Sequence, residues 1–242
     1  SGFRRREINT VMETTMHMSA LQHGKLFFDT YLGPDALATI VDIGAQNING
    51  SLRECMPTGC LHIGVDFVPG PGVDVVLDDP YRLPFADASV DVIVSSSCFE
   101  HIEFFWLMFN EALRVLSPSG LFYLNAPTNG DFHRYPVDCW RFYPDAGAAL
   151  ARWGQHNGFT CVLLESFTAY QNQDIWNDQV AVFLKDEVHV TDYPRRMLAQ
   201  VPRYMNGRLY GSDAVLSWQA ASEDRLKQGW PPARDVLNNS DS

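Results

Sequence analysis

The chain has 242 residues, 46% of them hydrophobic, and a formal net charge of −11. That length and apolar content suit one medium domain with a well-buried core, alone or with an appendage. The acidic balance argues against a general binder of nucleic acid or anionic membrane, which needs clustered Lys and Arg; the one basic run, Arg4-Arg5-Arg6, is short and reads as a solvated end.

Residues 7–32 read as a helix with apolar surface from Met12, Met16, Met18, Leu21, Leu26, Phe27 and Phe28, stopped by Gly33-Pro34. With His17, His23 and Phe27 it is a candidate lid, or a helix simply packed on a sheet. Strand and helix then alternate: a strand at 38–43, a short helix at 50–56, a strand at 61–66, the Pro-Gly-Pro-Gly loop at 69–72, and a third strand at 73–77. Residues 90–95 are a β-branched run of the kind buried on both faces of a sheet. A helix over about 102–116 meets a stop at Ser117-Pro118-Ser119-Gly120. A fifth strand follows at 121–125. Asp145 is placed to cap a helix running to about Asn157, with Ala146, Ala149, Leu150 and Trp153 on one face and Gly158 at its end. Residues 161–166 and 179–184 are two final strands. The link between them holds no clear helix, which implies an antiparallel hairpin. Periodicity fades beyond about 187, with one more helix expected at 212–227 and a disordered tail after Trp230. The expected fold is therefore α/β, a Rossmann-like doubly wound, mostly parallel seven-stranded sheet with an antiparallel edge strand. Its parts are a helical segment at 1–36, a core at 37–186 and a C-terminal extension at 187–242.

Five cysteines, Cys55, Cys60, Cys98, Cys139 and Cys161, stand at irregular spacing without a C-x-x-C, so neither a zinc ribbon nor a dithiol motif is indicated. No apolar run approaches the roughly 20 residues of a membrane span. No signal-peptide pattern is visible, and a cytoplasmic location is the expectation.

In an open α/β sheet, ligands bind beyond the carboxyl ends of the strands. Gly44 permits a tight turn after the first strand, and the helix near Gly50-Ser51 would offer free N–H groups. Asp66 stands 22 residues after Gly44, at the end of the second strand, where an acid accepts from ribose hydroxyls. Asp78-Asp79 end the third strand, where a carboxylate accepts from an adenine amino group. Ser95-Ser96-Ser97 end the fourth. Gln46 stands where a dinucleotide fingerprint has its second glycine, and Asp42 would repel a pyrophosphate. A site ringed by Asp42, Asp66 and Asp79 suits a ligand carrying an ammonium and a sulfonium, as S-adenosylmethionine (SAM) does. Each acid alone reads as a strand-end turn residue; four strand ends in register favour the ligand.

The run Leu83-Pro84-Phe85-Ala86-Asp87-Ala88-Ser89-Val90-Asp91-Val92-Ile93-Val94, then Phe99-Glu100-His101-Ile102, then Leu113-Arg114-Val115-Leu116-Ser117-Pro118-Ser119-Gly120 resembles the class I SAM-dependent methyltransferases of the small-molecule type, over about residues 38–165. The resemblance implies SAM as cofactor, S-adenosylhomocysteine (SAH) as product, and a SAM-binding core at 37–186. It places Asp42 and Gly44 in the first motif, with Ala45, Gln46 and Asn47 in the loop beyond. Asp66 matches the ribose acid, Phe67 the residue flanking adenine, Asp79 and Pro80 the adenine side, and Ser95 and Ser96 the methionine side. The departure is Gln46-Asn47-Ile48-Asn49-Gly50-Ser51, which lacks the usual second and third glycines. Methyltransferases found beside glycosyltransferases in bacterial glycan biosynthesis clusters resemble it in this turn.

On the acceptor side, a hydroxyl must lose its proton, and His101 is a candidate general base or orienting group; it reads equally as a packed or capping histidine. The segment 125–143 follows the fifth strand and hangs over the same pocket. His133 and Asp138 are further catalytic candidates there, and Tyr135, Trp140 and Arg141 can hold a polar, ring-shaped acceptor. The alternative is a self-packed loop. The segment 171–178 is a second candidate border of the pocket, or a surface turn. His133 with Asp138 has no third ligand at a suitable spacing, so no metal is expected. The expected function is methyl transfer to a hydroxyl of a small polar acceptor such as a sugar or glycan precursor. The rivals are N-methylation of an amine or amino sugar, a non-catalytic SAM-binding scaffold and, more distantly, a dinucleotide oxidoreductase.

Overall fold

A computed structural model describes residues 18–229 except Asn49 and Gln173. The expected helix before Met18, with His17 of the candidate lid, lies outside the described residues, as do Arg4-Arg5-Arg6 and the tail from Trp230.

Helix α1 (Met18–Tyr31) ends where Leu32 N–H and Gly33 N–H both close on the Phe28 carbonyl, at 3.0 Å each. Then come β1 (Thr39–Ile43), β2 (Leu61–Asp66), β3 (Val75–Val76), β4 (Val90–Ser96), α2 (Phe105–Val115), β5 (Leu116–Pro127), α3 (Ala146–His156), β6 (Val162–Ala169), β7 (Asp178–Leu184), β8 (Tyr204–Leu209) and α4 (Glu223–Lys227). Among the described residues these strands form one sheet of eight, in the order β3-β2-β1-β4-β5-β7-β6-β8. The first five are mutually parallel; β7 is antiparallel to both β5 and β6, and β8 to β6. The expected α/β architecture is the observed one, with an eighth strand added at the edge. That strand carries Asn206 at φ +51° and Gly207, which break the pattern of a strand, so its pairing with β6 is a tertiary event.

Alternation along the strands divides the core in two. Val41, Ile93, Phe122 and Phe183 pack on the face that carries α2 and α3, while Ile40, Val92, Tyr123 and Val182 pack on the face that carries α1. Phe27 of α1 meets Tyr123 of β5 ring to ring at 4.8 Å. Full burial of each such side chain contributes about 1.5–3 kcal/mol.

Several local expectations change. The helix at 50–56 is one 3-10 turn, Leu52–Glu54, capped by Ser51 Oγ accepting from Arg53 N–H and unable to run on into Pro57. Residues 99–101 form a separate 3-10 turn before α2. Ser117-Pro118-Ser119-Gly120 does not separate α2 from the next strand, because β5 begins at Leu116. Asp145 makes no cap; its carboxylate pairs with Arg208 of β8. Of the helix at 212–227 only α4 forms, capped by Ser222. The C-terminal extension is anchored through Glu165, which accepts from Tyr31 Oη (2.5 Å), Met197 N–H (2.7 Å) and Leu198 N–H (2.8 Å).

Candidate active site

A cavity of about 720 Å³ opens at the carboxyl ends of β1, β2 and β4. On one side its wall includes Asp42, Gly44, Ala45, Gln46, Asp66, Phe67, Leu77, Pro80, Tyr81 and Ser96. Gly44 sits at φ +81°, and a Cβ there would stand 2.3 Å from Cys98 Sγ. Only glycine lets β1 turn this closely past Cys98. The turn is held by Gly44 N–H and Ala45 N–H on the Val65 carbonyl, at 3.0 and 3.2 Å. At the end of β2, Asp66 accepts from Val68 N–H at 3.1 Å and, weakly, from Gln46 N–H at 3.4 Å. Its position, held from the backbone, leaves acceptor capacity for a ligand.

Asp42 is buried and lies 3.3 Å from His62 Nε2. Arg53 Nε donates to His62 Nδ1 at 3.0 Å, so the ring proton sits on Nε2 and points at Asp42. Burial raises the Asp42 pKa above the ordinary carboxylate value, and the hydrogen bond from His62 pulls it back down. Arg53 also pairs with Asp74, whose carboxyl is held below its usual range first by the hydrogen bond from Gly64 N–H.

The cavity wall also includes His101, Ile102, His133, Tyr135 and Val137. The His101 Nδ1–H donates to the Val137 carbonyl at 2.5 Å, which leaves Nε2 with its lone pair 3.7 Å from Glu100 Oε1. Burial lowers the His101 pKa, so the ring is neutral near neutral pH. Glu100 is 1% exposed, and burial pushes its carboxyl up to about 8. The His133 ring stands edge-on to His101, with centroids 4.9 Å apart.

The structure brings Asp42, Gly44, Ala45, Gln46, Asp66, Phe67, Pro80, Ser96, His101, His133 and Tyr135 into one cavity wall. Six other sequence candidates lie outside it. Asn47 Oδ1 accepts from Gly50 N–H and braces the loop. Asp79 is exposed and caps Tyr81 N–H. Ser95 is buried and donates to the Ile43 carbonyl, tying β4 to β1. Asp138 and Arg141 face one another through two hydrogen bonds, 2.6 and 2.9 Å. That pairing holds the Asp138 carboxyl at about 2, so Asp138 is too weak a base for proton abstraction; it accepts from His133 N–H and folds the loop instead. Trp140 Nε1 donates to the Ile102 and Glu103 carbonyls while its ring packs edge-on against Phe105. The segment 171–178 backs the acceptor loop rather than lining the cavity: Trp176 packs on His133, and Asn129 bonds Ile175 and Asn177. None of the described residues of α1 lines the cavity, and His23 pairs with Asp178 of β7.

The residues the sequence did not single out are His62 and Glu100. Glu100 adjoins His101 in the quoted motif, a signal that was available. His62 lies two residues before Gly64, which pairs in register with Asp42, and only the sheet reveals its contact.

Residues 41–124, from β1 through β5, match the family described as a methyltransferase domain. All the SAM-side residues above fall inside that stretch. The cavity fits that donor: its volume suits a drug-sized ligand, its wall mixes apolar surface with Asp42 and Asp66, and Ser96 Oγ is buried there with no hydrogen-bond partner. The chain is 31% identical over 139 residues to an uncharacterized methyltransferase of Mycobacterium marinum, covering 56% of this chain and 52% of that protein. It is 32% identical over 120 residues to one from Mycobacterium tuberculosis, covering 44% and 46%. The chain thus spans about half the length of the curated relatives it matches. The 1,6-didemethyltoxoflavin-N1-methyltransferase of Burkholderia thailandensis, solved with SAH, superposes with a TM-score of 0.54 at 16% identity, covering 70% of this chain and 79% of that one. The [4+2]-cyclase SpnF superposes at 0.52 and 13% identity, covering 71% and 84%. At these identities the likeness is one of fold, and the fold of a methyltransferase domain hosts more than one chemistry. Among the described residues no helix is long and apolar enough to cross a membrane.

Proposed function

We propose that this chain transfers a methyl group from SAM to a hydroxyl of a small polar acceptor, of the size and polarity of a sugar or glycan precursor. The observation that carries this is one cavity whose wall holds both the acids Asp42 and Asp66 and the pair of histidines His101 and His133. Bound SAM supplies a methyl group already activated by its sulfonium. Asp42, oriented by His62, and Asp66 hold the donor's cationic and hydroxyl groups. The acceptor wall orients the hydroxyl, and the lone pair on His101 Nε2 takes its proton. Tyr135, half exposed at the mouth, offers a ring face to a sugar-like acceptor. The N1-methyltransferase superposed above acts on nitrogen, but a neutral base at the reacting wall is most useful to an oxygen nucleophile.

The test is SAM calorimetry followed by a panel of sugars, nucleotide sugars and amines with methyl-labelled SAM. Turnover of hydroxyl acceptors, lost by about a hundredfold or more in His101→Ala, supports the reading. Turnover confined to amines, at a near-normal rate in that variant, replaces it with N-methylation. SAM binding with no turnover on any acceptor favours the scaffold.

A further inference from the structure

We propose that Glu100, His101 and His133 bind one divalent transition-metal cation on the acceptor side of the cavity. One oxygen or nitrogen from each lies within 4.8 Å of the others. The acceptor loop itself offers His133 no third ligand; the fold supplies Glu100 and His101 from the turn after β4.

Three features point to a cation. Both rings have Nδ1 committed to a backbone carbonyl, His101 to Val137 at 2.5 Å and His133 to Asp131 at 3.1 Å. A carbonyl only accepts, so both rings donate from Nδ1 and keep the Nε2 lone pair; such hydrogen bonds orient metal-binding histidines. Asp138 stands 3.5 Å behind the His133 Nδ1, where a carboxylate strengthens a ligating ring. Glu100 is buried and its Oε2 has no hydrogen-bond partner, an orphaned polar atom that a bound cation would satisfy.

Two imidazoles and a carboxylate suit zinc, iron, cobalt or manganese rather than a thiolate-seeking ion. Ligand bonds of about 2.1 Å set ligand atoms roughly 3.4 Å apart in a tetrahedral site. The wider separations therefore draw in on binding, and His133, partly exposed on its loop, has room to move. His101 and His133 line the cavity, so the remaining coordination positions face it. Resting on the methyl-transfer reading above, this names the acceptor more narrowly: a molecule with two neighbouring oxygens, a vicinal diol or a hydroxy-carboxylate, that chelates the cation through the hydroxyl to be methylated. A bound cation would occupy the His101 Nε2 lone pair and would lower the pKa of the chelated hydroxyl, whose proton would then leave to solvent water rather than to His101.

The test titrates cobalt(II) into the chelator-stripped chain, followed by visible absorption and calorimetry, with SAH titrated into the same sample. We expect one cobalt per chain, affinity reduced by more than about tenfold in both Glu100→Gln and His133→Ala, and SAH binding retained in both variants. A native chain that binds SAH but takes up no stoichiometric cobalt overturns the site, as do variants that bind cobalt like the native chain. Cobalt binding without SAH binding upholds the site and overturns the methyltransferase reading instead.

Discussion

Replacing His62 with leucine probes the link between sheet and donor site. His62 Nε2–H is the hydrogen-bond donor to Asp42, a carboxylate that is 5% exposed and lies in the wall of the cavity. Leucine fills similar space and leaves the carboxylate without that donor. A buried acceptor stripped of its partner costs about 1–3 kcal/mol. With a urea slope of about 3 kcal/mol/M for a chain of this size, the unfolding midpoint falls by roughly 0.3–1 M. The loss depends on pH. The Asp42 pKa is raised in the folded state by burial, so ionising this group opposes folding, and stability falls as pH rises from the unfolded value through the folded one. His62 lowers that folded pKa; without it the penalty on the ionised form grows. The gap between native and variant midpoints is therefore smallest at acid pH, where Asp42 is protonated in both, and widens toward pH 8. Urea unfolding at pH 4, 6 and 8 measures it, and SAM calorimetry on the same samples should show weakened binding at pH 8. A gap that is constant with pH, or absent, refutes the argument that His62 stabilises the Asp42 carboxylate.

Asp66→Ala should weaken SAM binding by more than tenfold, since hydrogen bonds to a charged acceptor are worth about 1.5–3 kcal/mol; an unchanged dissociation constant in calorimetry excludes Asp66 from the ribose site. Gly44→Ala should destabilise by roughly 2–5 kcal/mol, from left-handed backbone and overpacking against Cys98, and adding Cys98→Ala should recover only part because the Cys98 Cβ remains 2.5 Å away; urea midpoints decide it. Glu165→Gln puts an amide N–H where three donors converge, so it should cost about 1–3 kcal/mol and expose the segment around Met197 and Leu198 to limited proteolysis.

The chain's own pattern determined seven of the eight strands and the candidate residues at their carboxyl ends. Runs such as 90–94 are too rich in β-branched residues for anything but a doubly covered strand, and Gly44 and Asp66 stand out by type and spacing as candidates. The Leu83-Pro84-Phe85 hook is local in the same way. Leu83 is buried, and Arg114 of α2 clasps the Leu83 and Phe85 carbonyls while pairing with Glu111 and Asp87. What local pattern does not carry is pairing between residues far apart in the chain. Asp42 takes its hydrogen bond from His62, twenty residues on, because β2 lies beside β1. β8 has no strand signature of its own and exists because β6 had a free edge to pair. The cluster of Glu100, His101 and His133 joins the end of β4 to a loop more than thirty residues later. Its three donors converge only because β5 returns the chain to the same end of the sheet, a matter of topology that periodicity and composition do not express.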